Sequence, residues 1–276
     1  MTAVLAEHPC YSPEAHVRFG RMHVPVAPRC NIRCNYCVRK FDCPNENRPG
    51  VTTRVIAPDQ ALARIGSVLA VEPRIRVLGV AGPGDALANE PTFRLLEQAR
   101  VRYSQLTLCV STNGLLLLDR LDDVLQVGVT ALTVTVNAVD PDVGEQIYAR
   151  ARYRGVTYRG REAFELLSRH QLEGIRRAAR AGITVKVNSV LIPGVNDHHL
   201  GDVARLVKIL GAFVHNVIPV IPMGALAQVP EPTDEDVRRV RAECSSEIGQ
   251  FENCLRCRAD AVGVPGEESC GQGVLR

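Results

Sequence analysis

The 276-residue chain carries 33 Lys and Arg against 30 Asp and Glu, and its net charge of +3 is too weak and diffuse to hold a nucleic-acid backbone. Trp is absent and aromatic residues make up 4%, so neither a base-stacking platform nor a membrane-interface belt is expected. With 46% hydrophobic residues, no signal-peptide pattern and no apolar run of about 18 residues, the expectation is a soluble, cytoplasmic single domain of 1–276 whose cysteines stay reduced.

An N-terminal arm, residues 1–22, holds "HPCYS" with Cys10. A first strand, "MHVPVAP", runs into "RCNIRCNYCVRKFDC", where Cys30, Cys34, Cys37 and Cys43 fall within fourteen residues. Cysteines packed this closely ligate metal, form disulfides or act in redox chemistry, and a reducing compartment favours metal or catalysis. Helix Pro58–Val71 follows, then strand "IRVLGVAG" and the glycine segment "GPGDALAN". A helix over 90–103 leads to strand "LTLCVST", which contains Cys109 and closes in "STNG" with Ser111 and Asn113. Strand "ALTVTVN" ends at Asn137; after a helix over 163–181, "TVKVNSVLI" carries Asn188 and "FVHNVIPVI" completes the series. Short β-branched runs alternating with helical patterns give six β/α units over 23–222, which predict a parallel sheet curled into a partial (β/α)6 barrel of the TIM type. The unusual polar and glycine segments all follow strands, at the C-terminal edge of the sheet where such folds gather their chemistry. The tail, 223–276, has one helix, "TDEDVRRVRAECSSEIG", capped by Thr233 or Asp234, and then Cys254 and Cys257 in "NCLRC".

Three thiolates from one loop, Cys30, Cys34 and Cys37, can hold three irons of a cubane and leave the fourth open to a substrate. A zinc site built from the Cys34/Cys37 and Cys254/Cys257 pairs is the competing reading, and a lone strand cysteine such as Cys109 is more often a small buried hydrophobe. Glu46, three residues after Cys43, is placed to bind iron or move protons, or else is a solvated loop carboxylate. Asn113, Asn137 and Asn188 are expected at successive strand ends, where a buried zwitterion would need fixed hydrogen-bond partners. Cys244 in the tail helix and Cys270 near the terminus have no assigned role.

The C-x3-C-x2-C loop with Tyr36 before its last cysteine resembles the radical S-adenosylmethionine (SAM) superfamily. Gly84 and Asp85 of "PGDAL" stand where that superfamily grips the methionyl amine with Gly and Glu, so the chain has Asp for the usual Glu. "HPCYS", "AHVRFGRMHVPVAPRCNIRCNYCVRKFDCPNENRPGV", "AGPGDALAN" and "CLRC" narrow the resemblance to the NifB family, from His8 to Cys257. That resemblance implies three [4Fe-4S] clusters: a SAM cluster on Cys30, Cys34 and Cys37, one precursor on His23, Cys43 and Cys109, and a second on Cys10, Cys254 and Cys257. Of the three histidines before the loop, His8, His16 and His23, only His23 gains a ligand role.

It further implies that SAM supplies a methyl carbon and a 5′-deoxyadenosyl radical. The two precursors then fuse around a carbide, with an added sulfur, into the eight-iron core of the nitrogenase cofactor. NifU/NifS-type cluster donors, a ferredoxin or flavodoxin, a NifX-type carrier and the NifEN scaffold are the implied partners. No nucleic acid or membrane is expected to bind, and the chain is expected to be a monomer. It stops nineteen residues after Cys257, which predicts the form without a NifX-like domain. A radical SAM enzyme acting on a small molecule or peptide through auxiliary clusters, and a non-enzymatic zinc module, are the alternatives; the first predicts iron beyond the SAM cluster but no eight-iron product, and the second predicts zinc in place of iron.

Overall fold

The structure, a computed structural model, describes residues 6–45 and 50–267. Ten strands occur among them: β1 Gly20–His23, β2 Ile32–Cys34, β3 Ile75–Val80, β4 Thr107–Thr112, β5 Val129–Thr135, β6 Tyr148–Tyr153, β7 Val156–Arg159, β8 Thr184–Leu191, β9 Val214–Pro219 and β10 Val262–Gly263. Strands β1, β3, β4, β5, β8 and β9 lie side by side in chain order and pair in parallel. These are the six strands of the expected half-barrel. Helices Pro58–Val71, Glu90–Arg102, Leu117–Gln126, Gly160–Arg180 and Leu200–Ile209 intervene, and Ile65, Leu96, Leu121, Ile175 and Val203 pack them onto the sheet in one core.

The first strand begins earlier than "MHVPVAP" and ends at His23. Pro25 and Pro28 have no N–H to give a ladder, so the chain leaves the sheet after Val24 and touches it again only at a bridge between Ala27 and Pro83. The sequence reading also passed over the antiparallel sheet β2–β6–β7. Its β6–β7 hairpin turns on Arg154 and Gly155, with φ of 48° and 82°, the pair of positive values that a two-residue primed turn needs. Arg in the first of these places hides a turn that Asn would have announced. The hairpin matters because Cys34 of β2 pairs with Tyr148 of β6, so it holds the cysteine loop.

The half-barrel has two free edges, and the tail meets both. After helix Asp234–Ser245, which Thr233 caps by a reciprocal pair of bonds with Asp236, Gln250 bridges to His215 on β9. Further along the tail, β10 pairs antiparallel with β1, matching Arg21 to Gly263 and Met22 to Val262. Cys254 and Cys257 lie in the span between. Inside the barrel, Tyr11 of the arm and Phe251 of the tail pack with Val77, Cys109, Ala131 and Val214, and the Tyr11 hydroxyl donates to the carbonyl of Leu132 at 2.8 Å. Arm and tail therefore fill the space that a larger side-chain layer would occupy in a closed barrel.

Tyr148 stacks on Phe164, ring centroids 6.0 Å apart, and a Cβ on Gly144 would strike the Phe164 ring. Gly144→Ala gains helix propensity but overpacks this contact, so a net loss of about 1–2 kcal/mol is expected in urea unfolding. An unchanged or raised midpoint would mean that Phe164 moves aside.

Candidate metal centre

Two adjoining cavities occupy the barrel mouth, and Asn45 and Ser111 line both. The first, about 430 Å³, is lined by Cys30, Cys34, Cys37, Cys43, Gly84, Asp85, Thr112 and Asn113. Gly84 lies flat on the segment leading to Cys30: its N–H donates to the carbonyl of Ala27 at 2.6 Å, Asp85 N–H donates to that of Arg29 at 2.9 Å, and a Cβ on Gly84 would collide with both carbonyls. Only glycine permits that approach.

The Asp85 carboxylate turns toward β4. It accepts from Thr112 Oγ1 at 2.9 Å, the Asn113 N–H at 2.6 Å and the Leu87 N–H at 3.0 Å, which fixes the glycine loop to the end of the strand. Burial pushes its pKa up against these bonds. Asn113 donates to Asn31 Oδ1 at 2.7 Å and lies 3.7 Å from Cys30 Sγ, so it reaches the first cysteine of the loop.

Asn137 lies outside this cavity's lining; its amide donates to the Tyr36 hydroxyl at 2.7 Å and its oxygen accepts from Val190 N–H at 2.9 Å. Tyr36 in turn donates to Asn45 Oδ1 at 2.6 Å. Asn45, absent from the sequence reading, thus sits between the cavities on a fixed chain of bonds. Asn188 is not at a strand end but within β8, where it accepts from Asn216 at 3.0 Å and lines the second cavity.

That second cavity, about 520 Å³, is lined by His8, Cys10, His23, Cys109, Lys186, Cys254, Arg256 and Cys257, among others. Cys10 is held in the turn from His8 to Tyr11, whose N–H donates to the carbonyl of His8 at 3.0 Å; Cys109 projects from β4 beside Gly79. Arg21, fully buried on β1, donates to the carbonyl of Gly263 at 2.8 Å and to Cys257 Sγ, tying the tail thiol to the first strand. His23 Nδ1 faces the Arg258 carbonyl at 3.1 Å, which leaves Nε2 with its lone pair, as a metal-ligating histidine requires. Burial and then Arg21 push its pKa down to about 3, so the ring is neutral.

Cys43, grouped with His23 and Cys109 by resemblance, lines the first cavity instead; its N–H donates to the Pro83 carbonyl at 3.0 Å, which keeps it against the glycine loop. Glu46 and Cys270 lie outside the described residues. Cys244 is buried in the main core, where burial pushes its thiol up to about 12.

Among the described residues no three His, Cys, Asp or Glu side chains converge as tightly as a single metal ion requires. Cys34/Cys37 and Cys254/Cys257 line different cavities, which removes support for the shared zinc site. A [4Fe-4S] cluster takes its thiolates on separate irons, so it does not need three donors around one point.

Residues 24–207 match the Radical SAM superfamily. The FeMo cofactor biosynthesis protein NifB of Klebsiella pneumoniae is 48% identical over 97% of this chain, and that of Chlorobaculum tepidum is 46% identical over 97%. The chain belongs to the radical SAM superfamily and, within it, to the NifB family. It spans 58% and 64% of the length of those two relatives. Among solved structures, Streptococcus suis SuiB bound to S-adenosylmethionine shares the fold with a TM-score of 0.60 and 11% identity, covering 92% of this chain and 54% of that one. A radical SAM methyltransferase from Sphaerobacter thermophilus matches with a TM-score of 0.55 and 20% identity, covering 92% and 69%. No helix among the described residues is long and apolar enough to cross a membrane.

Radical SAM membership implies one [4Fe-4S] cluster and SAM, and the donor set of the first cavity fits them. Cys30, Cys34 and Cys37 face one space beside the glycine loop, and burial pushes all three thiols up, Cys30 to about 11. The fold does little by itself to make them thiolates, which leaves that task to bound iron.

The same burial sets a pH dependence for the metal-free chain. Cys10 and Cys30 rise from 9.0 to about 11, so their unfolded forms ionise first as pH climbs. The stability they contribute is intact below pH 9 and lost between 9 and 11, by up to about 3 kcal/mol per thiol. Urea unfolding across this window checks it; a flat profile would mean that water reaches both thiols.

Proposed function

We propose that this chain is a radical SAM enzyme of nitrogenase cofactor biosynthesis that fuses two [4Fe-4S] units, with a SAM-derived carbide and an added sulfur, into an [8Fe-9S-C] precursor. The observation that carries this reading is the pair of adjoining cavities: one presents the C-x3-C-x2-C thiols beside a glycine loop, and the other collects His23, Cys109 and three thiols from arm and tail. A radical enzyme whose only cluster is the SAM cluster has no need of five metal-binding side chains in the neighbouring space.

The reduced SAM cluster, when bound, supplies the electron that cleaves the sulfonium. The chain's own residues hold and orient. Gly84 and Asp85 shape the loop expected to receive the methionyl end of SAM, and Asn113 stands beside Cys30. Asn45 and Ser111 form the partition across which methyl transfer and hydrogen abstraction would pass. Tyr36 and Asn137 keep Asn45 in place.

The cargo clusters are substrate, assigned here to Cys10, Cys254 and Cys257 for one and His23, Cys43 and Cys109 for the other, with Cys43 reaching over from the first cavity. Glu46 follows Cys43 by three residues and is proposed as an iron ligand or proton carrier. Tyr11 and Phe251, which pack with the cavity-lining Val77 and Cys109, would help to keep water and oxygen from the cargo. A NifU/NifS-type donor would load clusters, a ferredoxin or flavodoxin would reduce them, and a NifX-type carrier or NifEN would receive the product.

Anaerobic reconstitution tests the reading. About 12 irons per chain with matching sulfide, and an electron paramagnetic resonance signal that changes with SAM, are expected for three cubanes. About four irons with the same SAM response would keep the radical enzyme and remove cluster fusion; zinc with little iron would remove both. In a second measurement, Asn113→Ala should weaken SAM affinity about tenfold, an effect of ~1.4 kcal/mol. Asn188→Ala, lining the other cavity, should change that affinity by less than about twofold. Equal effects from both would contradict the assignment of SAM to the first cavity.

A further inference from the structure

Two histidines line the second cavity in opposite tautomers. At His23 the Arg258 carbonyl can only accept, so the ring proton is on Nδ1 and the lone pair on Nε2. At His8, Nδ1 accepts the backbone N–H of Cys10 at 3.1 Å, so in the neutral ring Nε2 carries the proton. His8 is 2% exposed, stacks obliquely against Tyr11 with centroids 4.4 Å apart, and its Nε2–H meets no acceptor among the described residues. Leaving a donor so buried without an acceptor is unfavourable, and flipping the ring would break its bond to Cys10.

Arg256 repeats the pattern. It lines the same cavity, its Nη2 is buried without an acceptor among the described residues, and its backbone sits at φ 51°, in the left-handed region that a non-glycine residue enters at some cost. Between two ligand cysteines of the tail, a strained arginine aimed inward asks for an anion. Lys186 adds a further cation to the lining, its ammonium 5.5 Å from the ring centroids of both Tyr11 and Phe251.

We propose that His8 and Arg256 are positioning residues that donate hydrogen bonds to the anionic sulfur atoms of the cluster held on Cys10, Cys254 and Cys257. This rests on the reading of that cavity as a cargo site. It gives the two histidines different tasks in one space: His23 offers a lone pair to iron, and His8 offers a proton to sulfur. Hydrogen bonds to cluster sulfur stabilise the reduced, more negative state and raise its potential.

The test uses the full chain, reconstituted anaerobically with iron and sulfide, and a redox titration followed by electron paramagnetic resonance. The cluster in question is the signal that Cys254→Ser removes. His8→Asn keeps an acceptor where Nδ1 stands and loses the donor at Nε2; His8→Gln does the reverse. The expected result is a midpoint shifted to more negative potential in His8→Asn and close to the unsubstituted chain in His8→Gln. Arg256→Gln, which leaves the arm untouched, should shift the same signal in the same direction and carries the test if His8→Asn fails to fold. Unshifted potentials in all three variants, or equal shifts in the two His8 variants, would overturn the proposal while leaving the cargo site intact. No signal sensitive to Cys254→Ser in the unsubstituted chain would instead overturn the cargo site and the proposal with it.

Discussion

A parallel sheet of six strands that does not close leaves one row of unpaired backbone groups on β1 and another on β9, and such edges must be covered or blunted. Here one continuous tail meets both, through Gln250 at β9 and β10 at β1. Once the tail is obliged to travel between those two edges, Cys254, Arg256 and Cys257 are carried into the barrel mouth opposite Cys10, Cys109 and His23. The proposed cargo site and the edge pairing thus share the same short stretch of backbone, and Arg21 joins the two by reaching both the β10 carbonyl and the Cys257 sulfur.

The second cavity combines groups that are each costly alone. Buried thiols resist ionisation, as the rise of Cys10 to about 11 indicates, and buried cations resist desolvation, as the lowered pKa of Arg256 indicates. The anionic cluster proposed for this cavity would answer both, with iron taking the thiolates and the sulfur atoms meeting the donors. His8 stays neutral for the same reason: burial first, and then Lys186, hold its pKa well below the usual range. The first cavity is organised differently, with backbone bonds from Gly84 and Asp85 doing the positioning and Asn113 the only amide near Cys30 among its described strand-end asparagines.

Much of this was legible in the sequence, for identifiable reasons. Six β-branched runs with helices between them leave few topologies, and Pro58 and Thr233 mark helix starts by their chemistry. Cysteine spacing picked out the first cavity because its ligands are neighbours in the chain. The second could be assembled only by family resemblance, since its residues come from arm, β1, β4 and tail. Three things stayed hidden. The β6–β7 turn uses Arg154, which carries no turn signature. Asn188 reads like Asn113 and Asn137, yet it lies within its strand because β8 runs on to Leu191. His8 and His23 look alike as letters and differ only in which nitrogen meets a backbone partner.

The tail's double attachment also bears on how the chain behaves when empty. Residues 251–258 have neither helix nor strand, and the packing of Phe251 and the bond from Arg21 to Cys257 help to hold them, so loosening these contacts would free the pairing at both ends of the sheet. Two exposed edges on one molecule invite strand addition by another, so such loosening would be followed by edge-to-edge aggregation before any unfolding of the helical layer. A cluster on Cys254 and Cys257, as proposed, would then also act as a solubility safeguard for the scaffold that carries it.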